Sequence, residues 1–299
     1  MEDYRKYLQP VTIAQLKSIE MKARLVVEGF ITGLHRSPYH GFSVEFAEHR
    51  QYRPGDSIKH LDWKILGRTE KHYVKQYEEE TNLRSMIAVD TSASMNYASK
   101  GNITKFEYAS YLAAALSYLL IKQRDAVGLT LYDTDIRKFI PPRSKQSYLH
   151  ELLKTLVNVE PANETGTSQS LNKLAERINR RGLVVIISDF FDDPEAIMNG
   201  LKHFRHKQHD VLAFQILDPR EQDFKFKMTG ANFQDMETGE ELVTQPYQIQ
   251  QSYAETMDDF LNTLRRESRN HFIDYHLITT DTPFDKALRA YLTKRAKLA

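Results

Sequence analysis

The stretch Met86-Ile87-Ala88-Val89-Asp90-Thr91-Ser92-Ala93-Ser94-Met95 decides the fold, because an apolar run passes directly into a loop rich in oxygen-bearing side chains. A short apolar run that ends in a carboxylate is typical of a strand buried in a parallel sheet. The loop then presents Asp90, Ser92 and Ser94 at alternate positions. Alternate side chains of an extended or gently curved loop point the same way, so we predict that these three converge on one point.

Downstream of this strand, apolar runs of strand length alternate with amphipathic stretches of helix length. The pattern predicts strands at 126–132, 137–141, 183–188, 211–217 and 272–278, and helices at 105–123, 147–157, 168–180, 194–205, 248–268 and 283–297. Residues 223–245 indicate an inserted hairpin, and the turn at 133–135 indicates another. We therefore expect a doubly wound, mostly parallel α/β sheet of Rossmann-like type, with strand order 3-2-1-4-5-6.

The first 82 residues have a different character. An apolar stripe with helical spacing predicts one helix over residues 11–34, with Gly29 and Gly33 weakening its second half. Residues 35–70 indicate irregular structure with short strands, and residues 71–80 an extended connector. We therefore predict a smaller N-terminal segment of helix and irregular strands at residues 1–82, followed by the main domain at residues 83–299.

Composition excludes several classes of site. The 299 residues contain no cysteine, which rules out disulfides, thiolate metal sites and cysteine nucleophiles. A net charge of +1 gives no reason to expect nucleic acid or a membrane surface as a partner. The polar N-terminus and the lack of an apolar run of about 20 residues favour a cytoplasmic protein without a membrane span.

Two further residues are candidates to join the first loop. Thr167 follows Gly166 in a loop before a helix, and Asp189 ends the strand at 183–188. Both belong at the carboxyl ends of the strands, where α/β folds place ligands. Because every candidate offers oxygen only, the set favours a hard cation, Mg²⁺, Mn²⁺ or Ca²⁺.

Together these motifs resemble known families. D-T-S-A-S-M after a strand, G-T before a helix and I-S-D at a strand end resemble the metal-ion-dependent adhesion site of von Willebrand factor A domains. The stretches G-F-S-V-E-F, H-R-Q-Y-R-P-G-D and L-D-W, at residues 41–46, 49–56 and 61–63, are similar to the domain-of-unknown-function family numbered fifty-eight. That family joins such a segment to an A-like domain.

The resemblance implies a function as well as a fold. It implies one metal site formed by five residues, Asp90, Ser92, Ser94, Thr167 and Asp189, with Thr167 favoured over Thr165 because it directly follows the glycine. A divalent ion held by Asp90 alone keeps about one positive charge. The implied partner is a protein that offers a Glu or Asp to the metal. The family also implies an adaptor that works with a MoxR-type AAA+ ATPase in the assembly or maturation of other proteins.

An enzyme remains the alternative hypothesis, namely a metal-dependent phosphatase or hydrolase with Asp90 as nucleophile. Such phosphatases pair the nucleophile with an acidic residue two positions later, where this chain has Ser92. A histidine base would have to come from His203, His206 or His209, which are distant in sequence and which we expect on a solvated face. We therefore predict a binding module that catalyses no reaction.

Overall fold

The computed structural model of this chain describes residues 9–35, 49–51, 67, 73–75, 83–162, 166–226 and 230–296. Two compact units divide the chain, one formed by Met1–Gly33 with Leu83–Ala299 and the other by Leu34–Asn82. In the smaller unit, β1 (His49–Gln51) pairs antiparallel with β2 (Tyr73–Lys75). The predicted motifs at 41–46, 52–56 and 61–63, and Thr165, lie outside the described residues.

The N-terminal helix differs from its prediction in two respects. It is divided into α1 (Pro10–Ala14) and α2 (Ile19–His35), because Ser18 Oγ accepts the backbone N–H of Glu20 at 3.2 Å and so begins a new helix. It also belongs to the larger unit, where Lys22 Nζ donates to Tyr111 Oη at 2.7 Å. The predicted division at residue 82 placed this helix in the other segment.

Most strands of the larger unit lie in one sheet. The strands of the larger unit are β3 (Arg84–Asp90), β4 (Ala126–Tyr132), β5 (Ile136–Arg143), β6 (Leu183–Ser188), β7 (Asp210–Leu217), β8 (Ala231–Gln234), β9 (Glu241–Thr244) and β10 (Asp274–Thr279). Of these, β8 and β9 form a separate hairpin. The six-stranded sheet has the order β10-β7-β6-β3-β4-β5, which confirms the predicted order. All its pairs are parallel except the β4–β5 hairpin. The inserted hairpin is also confirmed, as β8 and β9.

Helices cover both faces of this sheet, as the amphipathic stretches predicted. They are α3 (Lys105–Lys122), α4 (Ser147–Val157), α5 (Thr167–Arg177), α6 (Pro194–His206), α7 (Pro219–Asp223), α8 (Pro246–Asn270) and α9 (Phe284–Ala296). The short α7 was not predicted. Every residue of β6 is buried, because neighbouring strands lie on both sides of it and helices pack on both faces. No helix among the described residues has both the length and the apolar character needed to cross a membrane.

Close backbone packing requires a glycine just before β6. A Cβ atom at Gly182 would lie 2.1 Å from the carbonyl oxygen of Arg84 on β3. We therefore expect Gly182→Ala to lower the free energy of unfolding, measured in urea, by about 2 kcal/mol or more, because backbone must move to make room. Gly230→Ala is the matched control, since no atom lies within 4 Å of its added Cβ. Equal unfolding midpoints for the two variants would contradict the expectation.

Candidate metal centre at the carboxyl ends of the strands

Parallel strands bring two of the predicted carboxylates to one edge of the sheet. Asp90 is the last residue of β3, and Asp189 directly follows β6. These strands are neighbours, with Val89 paired to Ile187. Both aspartates are fully buried. The position of each aspartate at a strand end was therefore predicted correctly, and the two meet because the carboxyl ends of adjacent parallel strands lie side by side.

Hydrogen bonds organise the loop after Asp90. Its Oδ1 accepts the backbone N–H of Ser92 at 2.9 Å, and its Oδ2 accepts the hydroxyl of Ser188 at 2.6 Å. The Ser92 and Ser94 hydroxyl oxygens are 3.1 Å apart, as expected if they converge. The loop itself is not extended throughout, because a 3₁₀ turn runs over Ala93–Asn96.

The surroundings of Asp90 disfavour a negative charge. Burial raises the pKa of Asp90 to about 7, and the charge of Asp189 adds to the rise, while hydrogen bonds from Ser188 and Ser92 oppose it. Water cannot screen the two carboxylates where they are buried. A cation placed between them would relieve this repulsion.

Sequence reasoning missed Lys105, which lies at the first position of α3. Its Nζ is 2.7 Å from Asp189 Oδ2 and 2.6 Å from Glu221 Oε1, and the lysine side chain is fully buried. Burial alone would lower the pKa of Lys105, but the charges of Asp189 and Glu221 outweigh it and the pKa is raised. A lysine at a helix N-terminus opposes the helix dipole, and this signal could have marked it.

These charges do not cancel. Asp90, Asp189 and Glu221 supply three negative charges when ionised, and Lys105 supplies one positive charge. Once Asp90 loses its proton, these four side chains therefore carry a net charge of two negative units, which is the charge that one divalent cation balances. Asp189 is engaged on both oxygens, since Oδ1 also accepts the backbone N–H of Phe191 at 3.2 Å.

Thr167 reaches the same edge of the sheet from another loop. It is the first residue of α5, although we predicted that the helix begins after it. The N–H of Ala162 donates to the Thr91 carbonyl at 2.9 Å, and a Cβ at Gly166 would lie 2.8 Å from Thr134 Cα. The glycine therefore lets this loop lie close to the loop that follows β4.

The hydroxyl of Thr167 is the one candidate ligand left wholly without a protein partner. It is fully buried, and no described residue hydrogen-bonds to its Oγ1. Other described residues also have buried side-chain atoms without a partner, but the Thr167 hydroxyl lies at the sheet edge that holds Asp90 and Asp189, where a bound ligand would satisfy it. Its hydroxyl chemistry and that of the two serines fit a hard cation.

The three histidines do not join this site. His203 bonds Asn172 and Glu176, His206 is the last residue of α6, and His209 immediately precedes β7, so all three lie toward the amino ends of the strands. His209 is buried, so its predicted position on a solvated face was wrong; it packs against Phe204. No group of three or more His, Asp and Glu suited to a metal occurs in the described part of the chain. The candidate set instead combines two carboxylates with three hydroxyls.

Comparison with known proteins identifies the family. The sequence profile of a family described as "Protein of unknown function DUF58" matches residues 48–262, well over half of the chain. The chain belongs to the DUF58 family. This confirms the family predicted from its motifs, and the matched region of this DUF58 protein contains all five candidate ligands.

Proteins similar to this DUF58 protein occur in mycobacteria. The "Uncharacterized protein Mb1516" of Mycobacterium bovis is 29% identical over 215 residues, which cover 71% of this chain and 67% of that protein. The "Uncharacterized protein Rv1480" of Mycobacterium tuberculosis matches with the same identity and coverage.

Solved structures resemble this DUF58 protein more distantly. BatB from Bacteroides thetaiotaomicron, described as a conserved hypothetical protein, has a TM-score of 0.48 and 16% identity, covering 72% of this chain and 99% of its own. An aerotolerance-related membrane protein from Bacteroides fragilis gives the same values. Likeness at this level says nothing about function.

Proposed function

We propose that this DUF58 protein is a divalent-cation-dependent protein-binding module, a von Willebrand factor A-like domain with a metal-ion-dependent adhesion site. The observation that supports it is the buried, unpartnered hydroxyl of Thr167, at the sheet edge that holds the buried Asp90 and Asp189. The excess of negative charge that these side chains carry once Asp90 loses its proton gives the same indication. One divalent cation would satisfy both the hydroxyl and the charge.

In this proposal, Asp90, Ser92, Ser94 and Thr167 hold the ion, Mg²⁺, Mn²⁺ or Ca²⁺, and Asp189 completes the set. The ion supplies positive charge and a free coordination position, which together attract a carboxylate. Neutral hydroxyls suit this role because they coordinate without cancelling the charge. Lys105 contributes by pairing with Asp189, so that less negative charge faces the ion.

The proposed partner is a protein that offers a Glu or Asp to this ion. Family resemblance suggests a MoxR-type AAA+ ATPase, with this chain as a cytoplasmic adaptor in the assembly or maturation of other proteins. In a pull-down with the purified ATPase, we expect association in Mg²⁺ that EDTA and Asp90→Ala both abolish. Association that survives both treatments would contradict a metal-dependent role, and no association under either condition would contradict the choice of partner.

We propose no catalytic role, and the alternative, a phosphatase or hydrolase using Asp90, has a direct test. Where such phosphatases carry an acidic residue two positions after the nucleophile, this chain has Ser92, whose hydroxyl oxygen lies 3.1 Å from that of Ser94. Hydrolysis of p-nitrophenyl phosphate that requires both Mg²⁺ and Asp90 would favour the enzyme over the adaptor.

A pair of threonine variants tests the metal site itself. Thr167→Val removes a hydroxyl without a protein partner, so we expect Mg²⁺ affinity in isothermal titration to fall about tenfold or more, with no loss of stability in EDTA. Thr91→Val is the control, because Thr91 Oγ1 donates to the Tyr132 carbonyl at 2.9 Å. It should cost about 1 kcal/mol in stability and leave Mg²⁺ affinity unchanged. If Thr91→Val lowered Mg²⁺ affinity and Thr167→Val did not, the hypothesis that Thr167 is a ligand would be wrong.

A further inference from the structure

The opposite edge of the sheet holds a cavity that the proposed function does not use. It has a volume of about 610 Å³ and lies beside the start of β10, at the amino ends of the parallel strands. A volume of this size suits a small-molecule ligand. The lining residues that matter here are Arg205, Arg265, Arg269, Phe272, Asp274 and Lys294.

Positive charge exceeds negative charge in this lining, with four cations against one carboxylate. The buried Lys294 uses its charge within the protein, since its Nζ is 2.8 Å from Asp274 and 3.2 Å from Asp210. Arg205 likewise pairs with Asp210 at 3.1 Å. The positive charges of Lys294 and Arg205 are therefore already paired within the protein.

Two arginines of α8 remain without a carboxylate. Arg265 donates to the side-chain oxygen of Asn262 at 2.8 Å, and no described residue contacts the guanidinium of Arg269 by a hydrogen bond or an ion pair. The two are four residues apart and so lie on the same helix face, where like charges repel. The helix dipole favours cations at this end. It does not supply either guanidinium with a counter-charge.

Phe272 is unfavourable for stability in two respects. Its side chain is 77% exposed, and its φ of 56° lies in the left-handed region that favours glycine. It follows α8 at the position where helices commonly end on glycine. Arg124, Gln208 and Phe224 have the same left-handed backbone after α3, α6 and α7, so this conformation alone does not set Phe272 apart. The exposure of its ring at the edge of a basic cavity is what points to a ligand.

We propose that this cavity binds a small phosphorylated molecule with a planar ring, such as a nucleotide. Arg265 and Arg269 bind the phosphate, because guanidinium groups match its oxygens in paired hydrogen bonds. Phosphate places several negative charges on one compact group, whereas a single carboxylate would balance only one of these two guanidinium charges. Phe272 stacks on the ring. This proposal is independent of the candidate metal site.

Isothermal titration at fixed ionic strength tests it, with ATP, ADP, pyrophosphate and inorganic phosphate added to the full chain in EDTA. EDTA keeps a bound cation from contributing. We expect saturable binding of ATP and ADP, weakened at least about tenfold by Arg265→Glu or by Arg269→Glu, since one charge-assisted hydrogen bond corresponds to about that factor. Arg266→Glu is the matched control, because Arg266 lies on the same helix but pairs with Glu267.

Phe272→Gly tests the contribution of the ligand's ring to binding separately from that of its phosphate. It should weaken ATP binding and leave pyrophosphate binding unchanged, while raising the melting temperature. Arg269→Gln provides a second variant that removes the charge without reversing it, and melting curves check that each variant folds. Absence of saturable ATP, ADP and pyrophosphate binding would overturn the proposal, as would an equal loss in Arg266→Glu. Binding of a labelled polyglutamate peptide but not of ATP would also overturn it, in favour of a protein partner.

Discussion

Replacing Lys105 by methionine is expected to lower the free energy of unfolding by about 3–5 kcal/mol. Lys105 is the ammonium between Asp189 and Glu221, with Nζ–oxygen distances of 2.7 and 2.6 Å. Methionine fills similar space without charge, so both carboxylates lose their cation in a buried region. Removing one partner of a buried pair costs more than the pair itself contributes, because the remaining charge cannot return to water. Urea denaturation in EDTA measures the change.

A matched lysine isolates this effect. Lys173 also forms an ion pair, with Asp135 at 3.0 Å, but both side chains are at least half exposed. Lys173→Met should therefore change stability far less, because water screens and solvates an exposed pair. Adding Glu221→Gln to Lys105→Met should recover part of the loss by removing one uncompensated charge. Equal losses of stability in the two lysine variants would show that burial does not increase the cost of removing the lysine from its ion pair.

Replacing Asp90 by asparagine is expected to weaken Mg²⁺ binding at least about 100-fold in isothermal titration. Asparagine keeps the size of the side chain and one acceptor oxygen, but it removes the carboxylate that would bind the ion directly. Loss of even an indirect partner of a metal ligand costs 10- to 100-fold in affinity. Unchanged Mg²⁺ affinity in this variant would contradict the proposed site.

Stability without metal gives a second measurement on Asp90. Its pKa is raised to about 7 in the fold, against about 4 in an unfolded chain. The protonated carboxyl is therefore favoured by folding, and that contribution is complete below about pH 4 and is lost as the pH rises through about 7. In EDTA, the wild-type protein should lose stability over this interval, and Asp90→Asn should lose less. Parallel pH profiles for the two proteins would contradict the raised pKa.

Strong local patterns allowed much of the fold to be predicted. The run 183–188 contains only apolar residues before its final serine, and it forms β6, a strand buried along its whole length. Local signals failed where a single side chain changes the path of the backbone. Ser18 divides the predicted first helix, and a 3₁₀ turn replaces part of the extended loop after Asp90. Both features depend on hydrogen bonds between residues only a few positions apart, which the spacing of apolar residues does not reveal.

The strand order of the sheet was expected only by analogy with other doubly wound folds. The sequence by itself determined the alternation of strands and helices and the positions of Asp90 and Asp189 at the carboxyl ends of their strands. These follow from periodicity and chain direction, which act over short distances along the chain. Only the tertiary structure decided that Lys105 pairs with Asp189, 84 residues away, and that the hydroxyl of Thr167 is buried without a partner. Such facts depend on which side chains meet when separate elements pack, and burial then sets the energy of each charge or hydroxyl.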